Sequence, residues 1–486
     1  MMSIEVAFQV RRLFFVMVCF FSFVLGSELY GQEENESGTG IETGTEIKTK
    51  IETGTETETG IETEKKATLG SFFFALGENV FSNVGLHLMM RIHGEPWAQV
   101  DFVTIERNLK WQWEWDRDEF FTNQFGHPYQ GSTYHAAARS SGFGFYESVL
   151  FDAFGSLAWE LFAETNAPSI NDFISTTLGG AALGEMFHRL YLETNNPLAV
   201  LISPFDALTD LFSPKHQAYT HNIYSLKMAL GIGYTHAEQL SEQGQNEFQN
   251  SLTRNMASLE IAFAVIYGDP FAQQSIIPYE HFELSLDTNF SYPFWYSIKL
   301  LSDAYLFSFS VLDNEKESAS TGLSLHYDLF ADRQTDFFSQ ALDWTYKYTR
   351  KYLNGTNLEF KGHLGWTVFS ADTFYIHNRY PGLREAANDY GTGTNLKLIL
   401  AVQAKNHSRF QIRSFIYNVC NIYQNEDKDH TFNSFMFIDL DYSFPIEKQM
   451  YMGIASSSLR ERAVHEGIPD TKKRTHDTKL YIAWKK

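Results

Sequence analysis

The stretch Leu226-Lys227-Met228-Ala229-Leu230-Gly231-Ile232-Gly233-Tyr234 puts a large apolar side chain at every even position and a small or charged one at every odd position. A period of two marks a β-strand with one apolar face. The pattern returns at Leu259, Ile261, Phe263, Val265 and Tyr267; at Phe282, Leu284 and Leu286; at Tyr305, Phe307, Phe309 and Val311; and at Leu323, Leu325, Tyr327 and Leu329. It continues through Trp344, Tyr346 and Tyr348; through Leu358, Phe360, Leu364, Trp366 and Val368; and through Leu396, Leu398, Leu400 and Val402. The last segments lie near Arg409 to Cys420, Thr431 to Tyr442, Gln449 to Ala455 and Thr478 to Trp484. About twelve segments result, each close to the roughly nine to eleven residues that a tilted membrane strand needs.

Alternation alone leaves two readings open, a soluble sandwich or cup with its apolar face inward and a membrane barrel with that face outward. The minor face is rich in Gly, Ala, Ser, Lys and Asp, as a wet lumen requires, and aromatics recur near segment ends. These features, with an export signal, favour an antiparallel outer-membrane-type β-barrel over residues 216–486. The terminal Trp484-Lys485-Lys486 departs from the aromatic final residue common in such barrels. The expected setting is the envelope of a Gram-negative-type bacterium, with outer-membrane lipid and the barrel-assembly machinery as partners; oligomeric state is left open. A net charge of -21 without a basic cluster speaks against nucleic acid.

Upstream, Arg11 and Arg12 precede an apolar run from Leu13 to Leu25 with Gly26 and Ser27 behind it, the layout of a signal peptide over residues 1–27. Cleavage there leaves Cys420 as the one remaining cysteine, so no intramolecular disulfide can form. Residues 28–68 repeat Ile-Glu-Thr-Gly-Thr-Glu at Ile41, Ile51 and, partially, Ile61, and read as a disordered acidic tether that cannot bury enough apolar surface to fold.

Residues 69–215 read as a mainly helical module, which makes the chain α+β overall. Ser71 to Ile92 is apolar at helical spacing, and Leu109 to Trp115 alternates like a strand or aromatic edge. Two helices are expected over Ser132–Ala163 and Ile170–Leu192, joined by a turn at Pro168-Ser169 into a hairpin. Ser169 with Asp172 fits a capping box. Gly180 and Gly184 lower helix propensity, so a neighbouring helix or the barrel wall must approach them closely. Neither helix reads as apolar enough to face lipid, which places the module in the lumen as a plug, at the periplasmic mouth, or in a periplasmic domain.

The run Asp116, Asp118, Phe120, Thr122, Asn123, Phe125, His127-Pro128-Tyr129, Gly131, Tyr134, Ala138-Arg139-Ser140, Gly142 and Ser148 resembles the bacterial family called domain of unknown function 3943. So does its continuation through Gly155-Ser156, Trp159-Glu160, Glu164, Pro168 to Asp172, Gly179-Gly180, Gly184-Glu185 and Arg189. The resemblance covers about residues 81–204. It implies an envelope protein whose chain continues into strands, and carries no activity with it.

His127, Glu160, Glu164 and Asp172 are the candidate catalytic residues, because paired carboxylates beside a histidine suit general acid and base chemistry. The competing reading is a buried polar network of Asp116, Asp118, Asn123, His127, Arg139, Trp159, Glu160, Glu164, Ser169, Asn171, Asp172 and Glu185, with Gly180 and Gly184 as its packing positions. No zinc spacing, phosphate loop or nucleophile elbow occurs, so no metal or cofactor is expected. Two function classes follow: a non-enzymatic barrel serving passage, anchoring or assembly, and an envelope enzyme acting on lipid or lipopolysaccharide.

Overall fold

The computed structural model describes residues 67–486 apart from 117, 195–196, 213–221, 242–253, 271–273, 292–294, 333–335, 374–387, 424–429 and 466–470. The expected signal peptide and all but the last two residues of the tether lie outside the described residues. Six helices come first: α1 (Leu69–His93), α2 (Phe102–Asn108), α3 (His127–Ser140), α4 (Phe145–Phe162), α5 (Ile170–Leu192) and α6 (Pro204–Phe212). The strands follow as β1 (Ile223–Ser241), β2 (Arg254–Tyr267), β3 (Phe282–Ser291), β4 (Trp295–Asp313), β5 (Glu317–Asp332) and β6 (Asp336–Lys351). The set is completed by β7 (Asn357–Asp372), β8 (Asp389–Gln403), β9 (Arg409–Tyr423), β10 (His430–Pro445), β11 (Met450–His465) and β12 (Thr471–Lys485).

Each strand pairs antiparallel with the next, and β12 returns to β1 with Met228 opposite Trp484 and Ile232 opposite Leu480, so the sheet is a closed barrel. Closure removes the unpaired strand edges that a sheet in hydrocarbon cannot tolerate. The apolar row faces outward, with Leu230, Ile232, Leu364 and Trp366 exposed by 57%, 67%, 66% and 55%. Lys361, Lys397, Asp328 and Asp343 are buried in the opposite, inward row. This distribution is that of a membrane barrel and sets aside the soluble sandwich or cup. Four connections at the end where β1 starts and β12 finishes are short, spanning 314–316, 352–356, 404–408 and 446–449.

The sequence-expected helix Ser132–Ala163 is two helices. Gly142 takes φ +94°, a left-handed conformation suited to glycine, and α4 starts after Gly144, whose amide donates to Glu147 Oε2 at 2.9 Å. The expected hairpin of α4 and α5 becomes a bundle in which α3 is the closest neighbour of α5. A Cβ on Gly131 would lie 2.0 Å from the Thr176 carbonyl oxygen, and one on Gly180 would lie 2.7 Å from Gly131 Cα, so the two backbones touch. Gly184 similarly leaves room for His135 Cβ. Leu109 to Trp115 does not join the barrel; Glu114 alone bridges to Ser169, its amide donating to Pro168 O at 2.9 Å.

The module is not a plug. Tyr327 sits between His326 and Asp328, which point into the bore, and its own hydroxyl points the other way to donate to Gln124 O. Tyr390, in the outward row with Leu396, Leu398 and Leu400, stacks on Trp115 at 5.0 Å and accepts from Asn123 Nδ2 at 2.9 Å. Leu183, Met186 and Leu190 of α5 form one apolar cluster with Phe263, Val265, Phe282, Leu284, Tyr327, Phe338, Phe369 and Tyr390. At the other end of α5, Arg189 Nη2 donates to Pro278 O at 2.9 Å. The helices therefore lie along the outer wall from β2 to β8. The bore cannot admit them, because side chains of opposite strands already meet across it.

Near the bilayer midplane, Leu230→Arg or Leu398→Arg should weaken assembly by about 2–4 kcal/mol; normal heat-modifiable mobility of both variants would contradict the outward assignment. Gly180→Leu should separate α3 from α5, expected as faster proteolysis of the module in detergent with the barrel intact. Unchanged proteolysis would show that no backbone contact exists there.

Candidate functional site

Two helices of the module, α1 and α4, bury polar residues and expose large apolar ones. In α1 the buried positions are Ala75, Glu78, Asn79 and Asn83, while Phe73, Phe81, Met89 and Ile92 are exposed. In α4, Ser148, Asp152, Ser156 and Glu160 point inward, and Tyr146, Leu150, Phe154 and Phe162 point out. Such an interior is stable only where polar groups satisfy one another. Two networks do so.

The first surrounds His135 on α3. Its Nδ1 meets Asp152 Oδ2 at 2.9 Å and its Nε2 meets Glu185 Oε2 at 3.1 Å. Two carboxylates can only accept, so the ring donates from both nitrogens as an imidazolium. Burial by itself would lower the His135 pKa, but the Asp152 charge and both hydrogen bonds raise it to about 9. Glu185 also pairs with Arg139 Nε and Arg189 Nε, each at 2.8 Å. Burial pushes the Glu185 carboxyl up, yet the two guanidinium groups hold it well below the usual carboxylate range.

The second network caps α5. Ser169 Oγ accepts from the Asp172 amide at 3.2 Å, one half of the expected capping box; the reciprocal bond from the Ser169 amide goes to Glu160 and not to Asp172. The Ser169 amide donates to Glu160 Oε2 at 2.7 Å, which ties the end of α4 to the start of α5. Asp116 and Asn171 form a reciprocal pair, with the Asp116 amide on Asn171 Oδ1 at 2.8 Å and Asn171 Nδ2 on Asp116 Oδ1 at 3.0 Å. Asn123 Nδ2 adds a 3.0 Å bond to the same Asp116 oxygen. The Asp118 amide also points to that oxygen at 3.2 Å, while the residue itself is exposed. Trp159 Nε1 donates to Glu164 Oε1 at 2.5 Å. Burial, reinforced by neighbouring Glu164, raises the Glu160 carboxyl well above its ordinary range, and burial with Asp116 does the same to Asp172.

Of the four candidate catalytic residues, His127 and Asp172 meet, with Nε2 3.6 Å from Oδ1, and Glu160 reaches the same helix start through Ser169. Glu164 joins the same corner through Trp159 and not through a reactive pair. His127, Glu160 and Asp172 are all buried. Arg139 lies with Glu185 instead of bonding Glu160 or Glu164. Sequence reading missed His135 and Asp152 as partners; their signal is Asp152 on the inner face of α4 and His135 one helical turn from Arg139. It also missed His188, whose Nδ1 meets Asp206 Oδ1 at 2.7 Å.

The bore is a separate polar site. Tyr417 Oη donates to Asp328 Oδ2 at 2.9 Å, and Lys397 pairs with the same carboxylate, joining β5, β8 and β9. Phe330, Phe337, Tyr417, Phe435 and Phe437 form an aromatic layer across the interior, with Phe337 of β6 stacked on Phe435 of β10 at 4.3 Å. Toward the termini the bore opens into a cavity of ≈ 730 Å³ lined by Lys227, Glu283, Asp287, Glu359 and Arg409.

A closed twelve-stranded barrel, apolar outside and polar within, defines this chain as a barrel of the outer-membrane type carrying a lateral helical module. Residues 112–202 match the family described as "Domain of unknown function (DUF3943)", inside the span that the motifs indicated. No curated protein matches the chain. Among solved structures it is similar to an outer membrane channel from Pseudomonas putida F1, at 8% identity and TM-score 0.30 over 55% of this chain and 97% of that one. It is also similar to the NanC porin, at 7% identity and TM-score 0.23 over 52% and 98%. The toluene transporter TodX from Pseudomonas putida gives 7% identity and TM-score 0.24 over 57% and 93%. At these scores the likeness decides nothing about what this chain binds or conducts.

Glu185→Gln removes a buried carboxylate from three cations, and should destabilise the module by roughly 3–5 kcal/mol; a denaturation midpoint in detergent close to wild type would contradict the network. Glu160 and Asp172 have folded pKa values above their unfolded ones. Their contribution is complete below the usual carboxylate range and is lost as pH rises above it. Module stability should therefore fall as pH rises above the usual carboxylate range, and Glu160→Gln should flatten that slope. An identical slope in the variant would show that Glu160 is not held protonated.

Proposed function

We propose that this protein is a non-enzymatic outer-membrane barrel that anchors its helical module within the bilayer, flat against the barrel's lipid-facing wall. The observation that carries this reading is the inverted polarity of α1 and α4. A helix that exposes Phe73, Phe81, Met89 and Ile92 while burying Glu78, Asn79 and Asn83 has the distribution suited to a hydrocarbon surround. No described helix is long and apolar enough to cross a membrane, so the module lies against the wall without spanning. Outer-membrane lipid is then a partner of module and barrel alike, and insertion by the barrel-assembly machinery is the expected route. The lipid-modifying alternative gains no support from His127, Glu160 and Asp172, which are buried, with Glu160 accepting from the Ser169 amide and Asp172 from Asn171 Nδ2.

Free passage of hydrated solutes is disfavoured by the aromatic layer across the bore. Anchoring, not conduction, is the role proposed.

Two measurements test this. Phe81→Cys and Ile92→Cys, each in a Cys420→Ser background, should resist a water-soluble maleimide in intact membranes, while Asn354→Cys in an exposed turn reacts. Rapid labelling of Phe81→Cys in sealed, opened or reconstituted membranes would place α1 in water and end the proposal. In planar bilayers the wild-type barrel should conduct poorly and the Phe337→Ala/Phe435→Ala pair should conduct more. Large, steady wild-type currents would favour passage instead.

A further inference from the structure

Inside the bore, Asp303 of β4, His326 of β5 and His363 of β7 bring their donor atoms within 4.8 Å of one another, and all three are buried. His326 Nδ1 lies 2.9 Å from the Ser302 carbonyl, which only accepts, so this nitrogen carries a proton and Nε2 offers a lone pair in the neutral ring. That Nε2 stands 3.3 Å from Asp343 Oδ2 and 3.7 Å from Asp303 Oδ1. None of these three atoms makes a hydrogen bond. His363 Nδ1 is held by Thr345 Oγ1 at 2.8 Å, which turns its Nε2 toward Asp303 Oδ2 at 3.7 Å.

We propose that this cluster is a binding site for a divalent first-row transition-metal ion of the zinc class, with Asp303, His326 and His363 as ligands and the Asp343 carboxylate beside it. Ligand bonds of about 2.0–2.1 Å in tetrahedral geometry put donor atoms roughly 3.3 Å apart, close to the spacing already present. Each donor is oriented by a second partner: Ser302 O and Thr345 Oγ1 for the imidazoles, Lys361 Nζ at 2.9 Å for Asp303 and Asn395 Nδ2 at 2.8 Å for Asp343. Around the cluster, Lys361 pairs with Glu283 and Asp303 and Lys397 pairs with Asp328, while Asp343 Oδ2 and Asp303 Oδ1 keep oxygens without a hydrogen bond. Asp303, His326 and His363 also line the cavity that opens toward the chain termini, which supplies a path of entry. A bound ion joins β4, β5 and β7 from within. This inference is independent of where the helical module lies.

The test uses the full chain in detergent, treated with chelator, dialysed and titrated with Zn²⁺, with Co²⁺ as a spectroscopic probe. One ion per chain is expected, with a strong visible Co²⁺ band of low coordination number. His326→Gln and His363→Gln should each weaken binding at least about 100-fold, and Thr345→Val, which removes no ligand, about 10-fold. Heat-modifiable mobility confirms that each variant is assembled. If the histidine variants do not assemble, Thr345→Val decides alone, by weakened binding or none. Zn²⁺ binding equal in wild type and variants, or no binding above background, would overturn the proposal.

Discussion

Pairing of β1 with β12 is the contact on which the molecule depends. Once Met228 lies opposite Trp484 and Ile232 opposite Leu480, every strand has two neighbours and the wall has no edge. Only then can one face of all twelve strands be given over to Leu, Ile, Phe and Trp without exposing main-chain groups to hydrocarbon. The same closure isolates the opposite face, where Lys361, Lys397 and their carboxylate partners can be buried because they compensate one another. A wall that is apolar outside and ionic inside is one solution to one constraint.

The helical module repeats that solution with different parts. Its interior is held by charge and hydrogen bonding, through His135 between Asp152 and Glu185 and through Asp116 with Asn171. Its contact with the barrel is apolar, through Leu183, Met186 and Leu190 against Phe282, Leu284 and Tyr327. The close passage of Gly131 and Gly180 brings α3 near enough to α5 for the His135 ring to reach Glu185. Without small residues at that crossing, the imidazole and the carboxylate would be separated by the width of the side chains between them.

Much of the barrel was legible in the sequence because a period of two runs through most of each strand and because the chain length between polar turns matches a tilted membrane strand. The period fails at bulges, as in β4, where Tyr305 lies opposite inward Ser324 and Phe307 opposite outward Leu323. The break at Gly142 was not legible, since Ala138 to Phe145 contains no proline and neither Gly142 nor Gly144 by itself rules out a continuing helix. The placement of the module against the outer wall was not legible for a more instructive reason. Average polarity hides which residues face which way: in α4, Asp152 and Glu160 sit on the inner face and Phe154 and Phe162 on the outer one. Of the candidate site, Ser169, Asn171 and Asp172 were readable from a local capping pattern. The grouping of Asp303, His326 and His363 was invisible, because β6 separates β7 from β5 and only the curvature of the sheet turns side chains of β4, β5 and β7 toward one point.

Covering is unequal around the perimeter. The helices bury outward residues from β2 to β8, whereas the outward rows of β9 to β11, with Phe410, Leu440, Tyr442, Met452 and Ile454, stay bare. Seen along the bilayer normal, the molecule is therefore not a disc but a body with a thick flank and a thin one. A neighbour that approaches the thick flank meets helices, and one that approaches the thin flank meets bare strands.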